Sequence, residues 1–335
     1  MMSNRIDKPK KDARALVEGL ASDHGVTYKY MSKDDAESYF LDRNNFLRTA
    51  SYRKNYPLHE SGKQKGKYIN LDFLCLVELS TIDMYLRRIL LKMCIDVEHA
   101  LKVKLVKDIE KDPTQDGYQI VDDFLSNNPS VADNIENKID SIFTGDLIEK
   151  YFTVCQVIEQ TSSGDNRIIN KILKYDCPAW VFVEIISWGD FVKFAKFYYG
   201  NKTPLYYDYS VINPVRSLRN ACAHNNCLLN NLQKTETTKP PRIITSFVSH
   251  DLSIKKQSRN NSMSTRPMLE ITCLLYLYDH VVSDRVKKAG FQELIAFLNT
   301  RAVEKKNLLK NNSLLESRYM YLNRALHALA KKNGL

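Results

Sequence analysis

The most regular feature of the chain is a run of apolar residues from position 71 to about 107. Cys75, Leu79, Ile82, Leu86, Ile89, Met93, Val97, Leu101 and Leu105 recur at spacings of three and four, with no Gly or Pro among them. That spacing keeps one face of an α-helix apolar along its length and predicts a core helix, or two in near-continuity. Shorter stretches of the same kind predict helices over 13–20, 36–47 (capped by Ser32), 147–159, 179–199, 268–287 and, more weakly, 291–309 and 314–332. Asn213-Pro214 reads as a helix start, Asn as the cap and Pro in the first turn, for a helix to about 229. The turn residues of 111–145 leave room for a short helix or two, and 161–165 reads as a loop. Residues 233–267 break the pattern with Thr, Ser, Asn, Lys and Pro240-Pro241, which predicts a long irregular loop or a small β-hairpin at 242–248.

These elements make the chain mainly α, in four parts. A small helical head (1–65) precedes a helical core (66–232), a basic connection (233–267) and C-terminal helices (268–335). Eleven Gly and ten Pro in 335 residues favour long helices over many strands. At 44% hydrophobic and 26% charged residues the chain buries a proper core, which excludes wholesale disorder. No stretch resembles a signal peptide or a membrane span, since the best apolar run, 179–188, is interrupted by Glu184 and falls far short of the ~20 residues a span needs. Seven cysteines are an odd number with no C-x-x-C pair, which argues against a disulfide framework and a zinc ribbon and points to a reducing cytoplasm. Trp180 and Trp188 read as core residues.

Charge narrows the choice of partner. The formal net charge is +10, yet residues 108–150 hold eleven acids against three bases, an acidic lobe within the core. The rest is strongly basic. Seven bases against two acids lie in 233–267, and eleven against three in 285–335. A surface of this sign attracts polyanions and makes nucleic acid the partner to expect, with Lys255, Lys256 and Arg259 as phosphate-contact candidates.

The familiar nucleotide, hydrolase and metalloprotease motifs are absent, and the seven histidines form no repeated metal-ligand spacing, so neither a metal nor a cofactor is expected. One segment stands out, Ser217-Leu-Arg219-Asn220-Ala-Cys-Ala-His224-Asn225. Asn220 and His224 stand four apart on one helix face, with Arg219 beside them and small residues between. A histidine that exchanges a proton near neutrality, beside a fixed guanidinium that grips phosphate, suits phosphodiester cleavage. The plainer reading is a helix end with a capping Asn and a buried His.

Arg219-Asn220-x-x-x-His224 resembles the R-x4–6-H signature of HEPN ribonucleases. Four blocks in order resemble the abortive-infection AbiD/AbiF-like family of that superfamily. The first is Leu41-Asp-Arg-Asn-Asn-Phe-Leu-Arg48 with Tyr52. The second is Leu86-Arg87-Arg88 with Ile95-Asp-Val-Glu98-x-x-Leu101-Lys102. The third runs from Pro178-Ala-Trp180 to Ser187-Trp188-Gly189-Asp-Phe191. The last runs from Val215 through His224-Asn225 to Asn230. The likeness covers about 8–232, and departs from the family at Cys227, where a base is common, and at Leu229, where Trp is.

The resemblance implies a HEPN-type helical bundle that dimerises so that two such helices line one cleft, and an anti-phage toxin that cuts RNA without a metal by attack of the 2′-hydroxyl on the adjacent phosphate. His224 is then the proton-transfer group, Arg219 the phosphate ligand, and Asn220 orients His224 or the substrate. Arg87 and Glu98, eleven residues apart on one helix, are site support or a structural ion pair. The Arg-Asn-x-x-x-His sequence occurs once per chain, so a two-motif site requires a homodimer. A non-catalytic scaffold for a structured noncoding RNA is the alternative; such an RNA could also restrain a nuclease.

Overall fold

Four side chains set the helices of the first hundred residues by accepting amide hydrogens that a helix start leaves without a partner. Asp12 accepts from Ala15 (2.7 Å) and opens α1 (Ala13–Ser22), and Ser32 accepts from Asp35 (3.1 Å) and opens α2 (Lys33–Asp42). Asn45 accepts from Leu47 (2.7 Å) and opens α3 (Phe46–Ser51). Asp72 accepts from Leu74 (3.0 Å) and opens α4 (Phe73–Lys111), a single 39-residue helix that contains the whole periodic run. The computed structural model describes residues 10–160, 166–235 and 239–335; the loop expected at 161–165 lies outside them.

Beyond α4 the chain forms α5 (Gln119–Asn127), α6 (Pro129–Glu136) and α7 (Gly145–Tyr151), then strands β1 (Phe152–Gln160) and β2 (Asn166–Tyr175). Next come α8 (Ala179–Ile185), α9 (Trp188–Tyr199), α10 (Tyr209–Ala223), α11 (Arg242–His250) and α12 (Lys256–Met263). The last four are α13 (Arg266–Val281), α14 (Asp284–Asn299), α15 (Lys306–Leu309) and α16 (Ser313–Lys332). The fold is mainly α, with one two-stranded antiparallel sheet among the described residues.

Several expected elements are corrected. The helix expected over 147–159 ends at Tyr151, and an antiparallel hairpin follows, with Ile158 opposite Ile168 and Val157 opposite Ile169. β-Branched residues lose χ1 freedom in a helix and pair well across strands, and this stretch is rich in them. The reverse holds at 242–248, where the expected loop or hairpin is helical: Ile244, Phe247 and Val248 form a buried stripe after Pro241. The helix expected over 179–199 is two, because Ile186 is extended and Ser187 caps α9 through the Asp190 amide (3.2 Å). Likewise α10 starts at Tyr209, with Asp208 accepting from Ser210 (2.7 Å), so Pro214 lies inside the helix rather than at its start. Trp188 is buried as expected, whereas Trp180 is 51% exposed and lies against Gly117 and Tyr118.

The chain groups into two units. One joins the residues up to Cys94 with Ser217–Asp279 and Ser283–Leu335; the other is Ile95–Arg216 with His280–Val282. In the first, the head packs around Phe73, which stacks on Tyr28 (centroids 5.4 Å apart) and meets Phe40 edge-on (5.3 Å). Leu308, Leu309 and Leu315 close on the same core from the far end of the chain. In the second, Phe124, Phe182 and Phe194 form an edge-to-face cluster with centroids 4.9–5.9 Å apart.

Gly290 of α14 lies close against α13, since a Cβ there would fall onto the ring and hydroxyl of buried Tyr278. Gly290→Ala should therefore destabilise the protein by about 1–3 kcal/mol in denaturant unfolding, by overpacking. Unchanged stability would show that α13 and α14 separate freely at this point.

Candidate active site

The Arg-Asn-x-x-x-His segment occupies the last turn of α10. Val215, Leu218 and Cys222 face inward and are buried, while Asn220, Ala223 and His224 are exposed and Arg219 is half-buried. The helix stops because Asn225 takes a left-handed conformation (φ 57°), which Asn tolerates better than most residues. The Asn225 amide then donates to Cys222 C=O (3.0 Å) and the Asn226 amide to Ala221 C=O (2.8 Å), a paired closure that satisfies two terminal carbonyls. His224 is thus the residue at which the helix ends, its own amide still bonded to Asn220 C=O (2.9 Å). The buried-histidine reading is corrected by this exposure.

Of the sequence candidates, Arg219, Asn220 and His224 come together in this one turn. The Arg219 Nη1 donates to Asn220 Oδ1 at 3.2 Å. Cys222, between them in sequence, points into the core, and burial pushes its thiol up to about 12, which keeps it protonated and excludes it as a nucleophile. Arg53 and His59 also stand six apart, but Arg53 lies in a short 3-10 turn (Tyr52–Asn55) and His59 follows Pro57 in extended chain, so no helical turn presents both.

Arg87 forms a buried ion pair on α4. It is 5% exposed and ion-paired with Asp83, one turn earlier on α4. Asp83 is wholly buried and also receives the Tyr52 hydroxyl (2.6 Å) and the amides of Leu228 (3.2 Å) and Leu229 (3.1 Å). Burial pushes the Asp83 carboxyl above its ordinary range, and Arg87, Tyr52 and the two amides oppose that shift by favouring the charged form. The Tyr52 hydroxyl is pushed upward by burial and by Asp83, and so remains a donor.

Further side chains hold the strand of chain that leaves the motif. Arg48 of α3 donates to Asn225 C=O. Asn55 donates to Leu229 C=O (2.7 Å) and accepts from the Leu232 amide (2.8 Å). Asn312 in turn holds Asn55 C=O (3.0 Å), and Arg318 donates to Leu232 C=O (3.2 Å). Asp83, Asn55, Asn312 and Arg318 escaped the sequence reading. The one available signal was an acid beside the apolar seam of α4, four residues before an arginine.

The remaining candidates lie elsewhere. Glu98 belongs to the second unit, where Lys102 lies 3.9 Å away. Lys255 and Lys256 are exposed at the start of α12, whereas Arg259 is half-buried and bonded to Ser249. Among the described residues no three His, Cys, Asp or Glu side chains are placed to hold a metal ion, and no helix is long and apolar enough to cross a membrane.

Asp83→Ala should cost about 3–5 kcal/mol in denaturant unfolding, because it strands the buried Arg87 charge. The apolar pair Asp83→Leu with Arg87→Met should recover only part of that loss, since the Leu228 and Leu229 amides still lack an acceptor. Full recovery would show that the carboxylate does not hold the exit segment.

Residues 39–230 match the family model for Abi-like proteins, a span that opens in α2 and closes just after the motif. No curated protein and no solved structure matches the chain.

Proposed function

The chain belongs to the Abi-like protein family, and from that premise we propose that it is a HEPN-type endoribonuclease of abortive-infection defence that needs no metal. Family membership points to abortive infection; the chemistry is read from the last turn of α10. The observation that carries it is the joint presentation of Arg219, Asn220 and His224 at an exposed helix end whose exit is tied down by buried hydrogen bonds. An exposed imidazole and a half-buried guanidinium at the same helix end suit proton transfer next to a phosphate.

In the reaction, His224 accepts the proton of a ribose 2′-hydroxyl as that oxygen attacks the adjacent phosphorus. Arg219 takes up the charge that develops on the phosphoryl oxygens. The P–O5′ bond breaks, and a protonated histidine returns a proton to the leaving 5′-oxygen. The products are a 2′,3′-cyclic phosphate and a 5′-hydroxyl. One chain carries one Arg-Asn-x-x-x-His segment, so the second histidine comes from a second copy, and the active species is a homodimer. Lys255 and Lys256 stand at the positive end of α12, where two cations beside a helix N-terminus attract the phosphates of RNA.

His224→Ala should lower RNA cleavage by ~10²–10⁴-fold and remove cellular toxicity while leaving the circular-dichroism spectrum unchanged, since the side chain is exposed. Arg219→Ala should do nearly the same. Cleavage by the wild type should survive excess EDTA and spare a substrate with a 2′-deoxy residue at the cut. Full toxicity of the His224→Ala protein would sink the nuclease reading and favour the RNA scaffold.

A second expected outcome concerns assembly. Light scattering should find a dimer, and His224→Ala chains coexpressed in excess should poison wild-type activity. A monomer cutting at full rate would end the two-copy model.

A further inference from the structure

The first unit encloses a cavity of about 470 Å³ between α4, α13, α14 and the C-terminal residues. Well-packed interiors leave few voids larger than a water molecule, and this volume lies within the ~300–1,000 Å³ of ligand sites. Its floor is apolar and fully buried, formed by Leu79, Ile82, Leu86, Met268 and Ile271. The polar side chains that line it all come from residues 306–319.

Of these, Lys306, Lys310 and Glu316 are exposed and mark the mouth. Two neighbouring cations are already committed within the chain, since Arg301 and Lys305 both reach the buried Glu78, Arg301 bidentately and Lys305 at 3.6 Å. Arg318, on the wall, is bonded to Leu232 C=O. Lys306 and Lys310 make no ion pair with a described residue, and Glu316 is the one acid lining the cavity. A dry floor has nothing with which to orient a sugar or a base, and a cationic rim selects against a neutral guest.

We propose that this cavity binds a long-chain fatty-acid carboxylate, its acyl chain against Leu79, Ile82, Leu86 and Ile271 and its carboxylate at Lys306 and Lys310. The site is independent of the nuclease chemistry, and its test requires no RNA. The binding energy comes from removing the acyl chain from water; the two lysines set which end faces outward.

The full-length protein is titrated with cis-parinaric acid, a polyene fatty acid that fluoresces in apolar surroundings. Saturable enhancement at one site per chain is expected. Palmitate should displace the probe, and hexadecanol, with the same chain and no charge, should do so about tenfold less well. Ala302→Trp, which narrows the cavity, should abolish the enhancement. Lys306→Glu with Lys310→Glu, both on the surface, should leave thermal unfolding unchanged, weaken parinarate about tenfold and leave hexadecanol unaffected. No saturable enhancement, or enhancement indifferent to the lysine changes, overturns the proposal. So does self-association, or adsorption to phosphatidylglycerol vesicles, that Ala302→Trp abolishes in a protein that binds no parinarate, since the cavity then serves a second copy or a lipid surface.

Discussion

Asp83 is a carboxylate in the middle of an apolar helix face, with none of its side chain in contact with water. An ion in that position is tolerable only when several donors surround it. Two of them, Arg87 and the Tyr52 hydroxyl, lie near it in sequence, on α4 and in the head. The other two are the backbone amides of Leu228 and Leu229, about 145 residues further along the chain. The demand for donors thus ties the segment that follows the Arg-Asn-x-x-x-His motif to the longest helix of the protein. The position of the candidate site follows from that tie.

The way α10 ends sorts the side chains of its last turn by chemistry. Asn225 reverses the backbone through the left-handed region, and Arg48 binds the carbonyl that the reversal exposes. A cation is also the favoured charge at a helix C-terminus. With the exit fixed, Cys222 stays inside as an inert thiol, while Asn220 and His224 stay outside and Arg219 lies at the boundary. A fixed exit holds His224 to one backbone position, as the proton transfer we propose for it requires.

The C-terminal hundred residues fall outside the Abi-like match, yet they are built into the support of the motif. Asn312 holds Asn55, Arg318 holds the Leu232 carbonyl, and Leu308, Leu309 and Leu315 complete the core of the head. Leu309, Leu315 and Arg318 also line the cavity. What lies beyond the family match is therefore structural support for the matched part as well as a basic surface.

The amino-acid sequence by itself determined the helical class, the helical character of the 73–107 stretch, the Ser32 cap and the closeness of Arg219, Asn220 and His224 along one helix. Each of these rests on spacings within a few turns, and local spacing fixes which residues share a helix face. It misjudged 152–159 and 242–248, since short apolar stretches fit a strand and a helix equally well until a neighbour covers one face. The Asn213-Pro214 signal was real but outweighed by the Asp208 cap and by burial of Val211 and Ile212 one turn earlier. Arg87 was visible as a candidate, but its role was not, because Asp83 has meaning only once Tyr52, Leu228 and Leu229 converge on it. Tertiary structure alone decided which distant amides satisfy that charge, because a buried polar group takes whatever donors the packed chain brings within about 3 Å, and no local pattern encodes them.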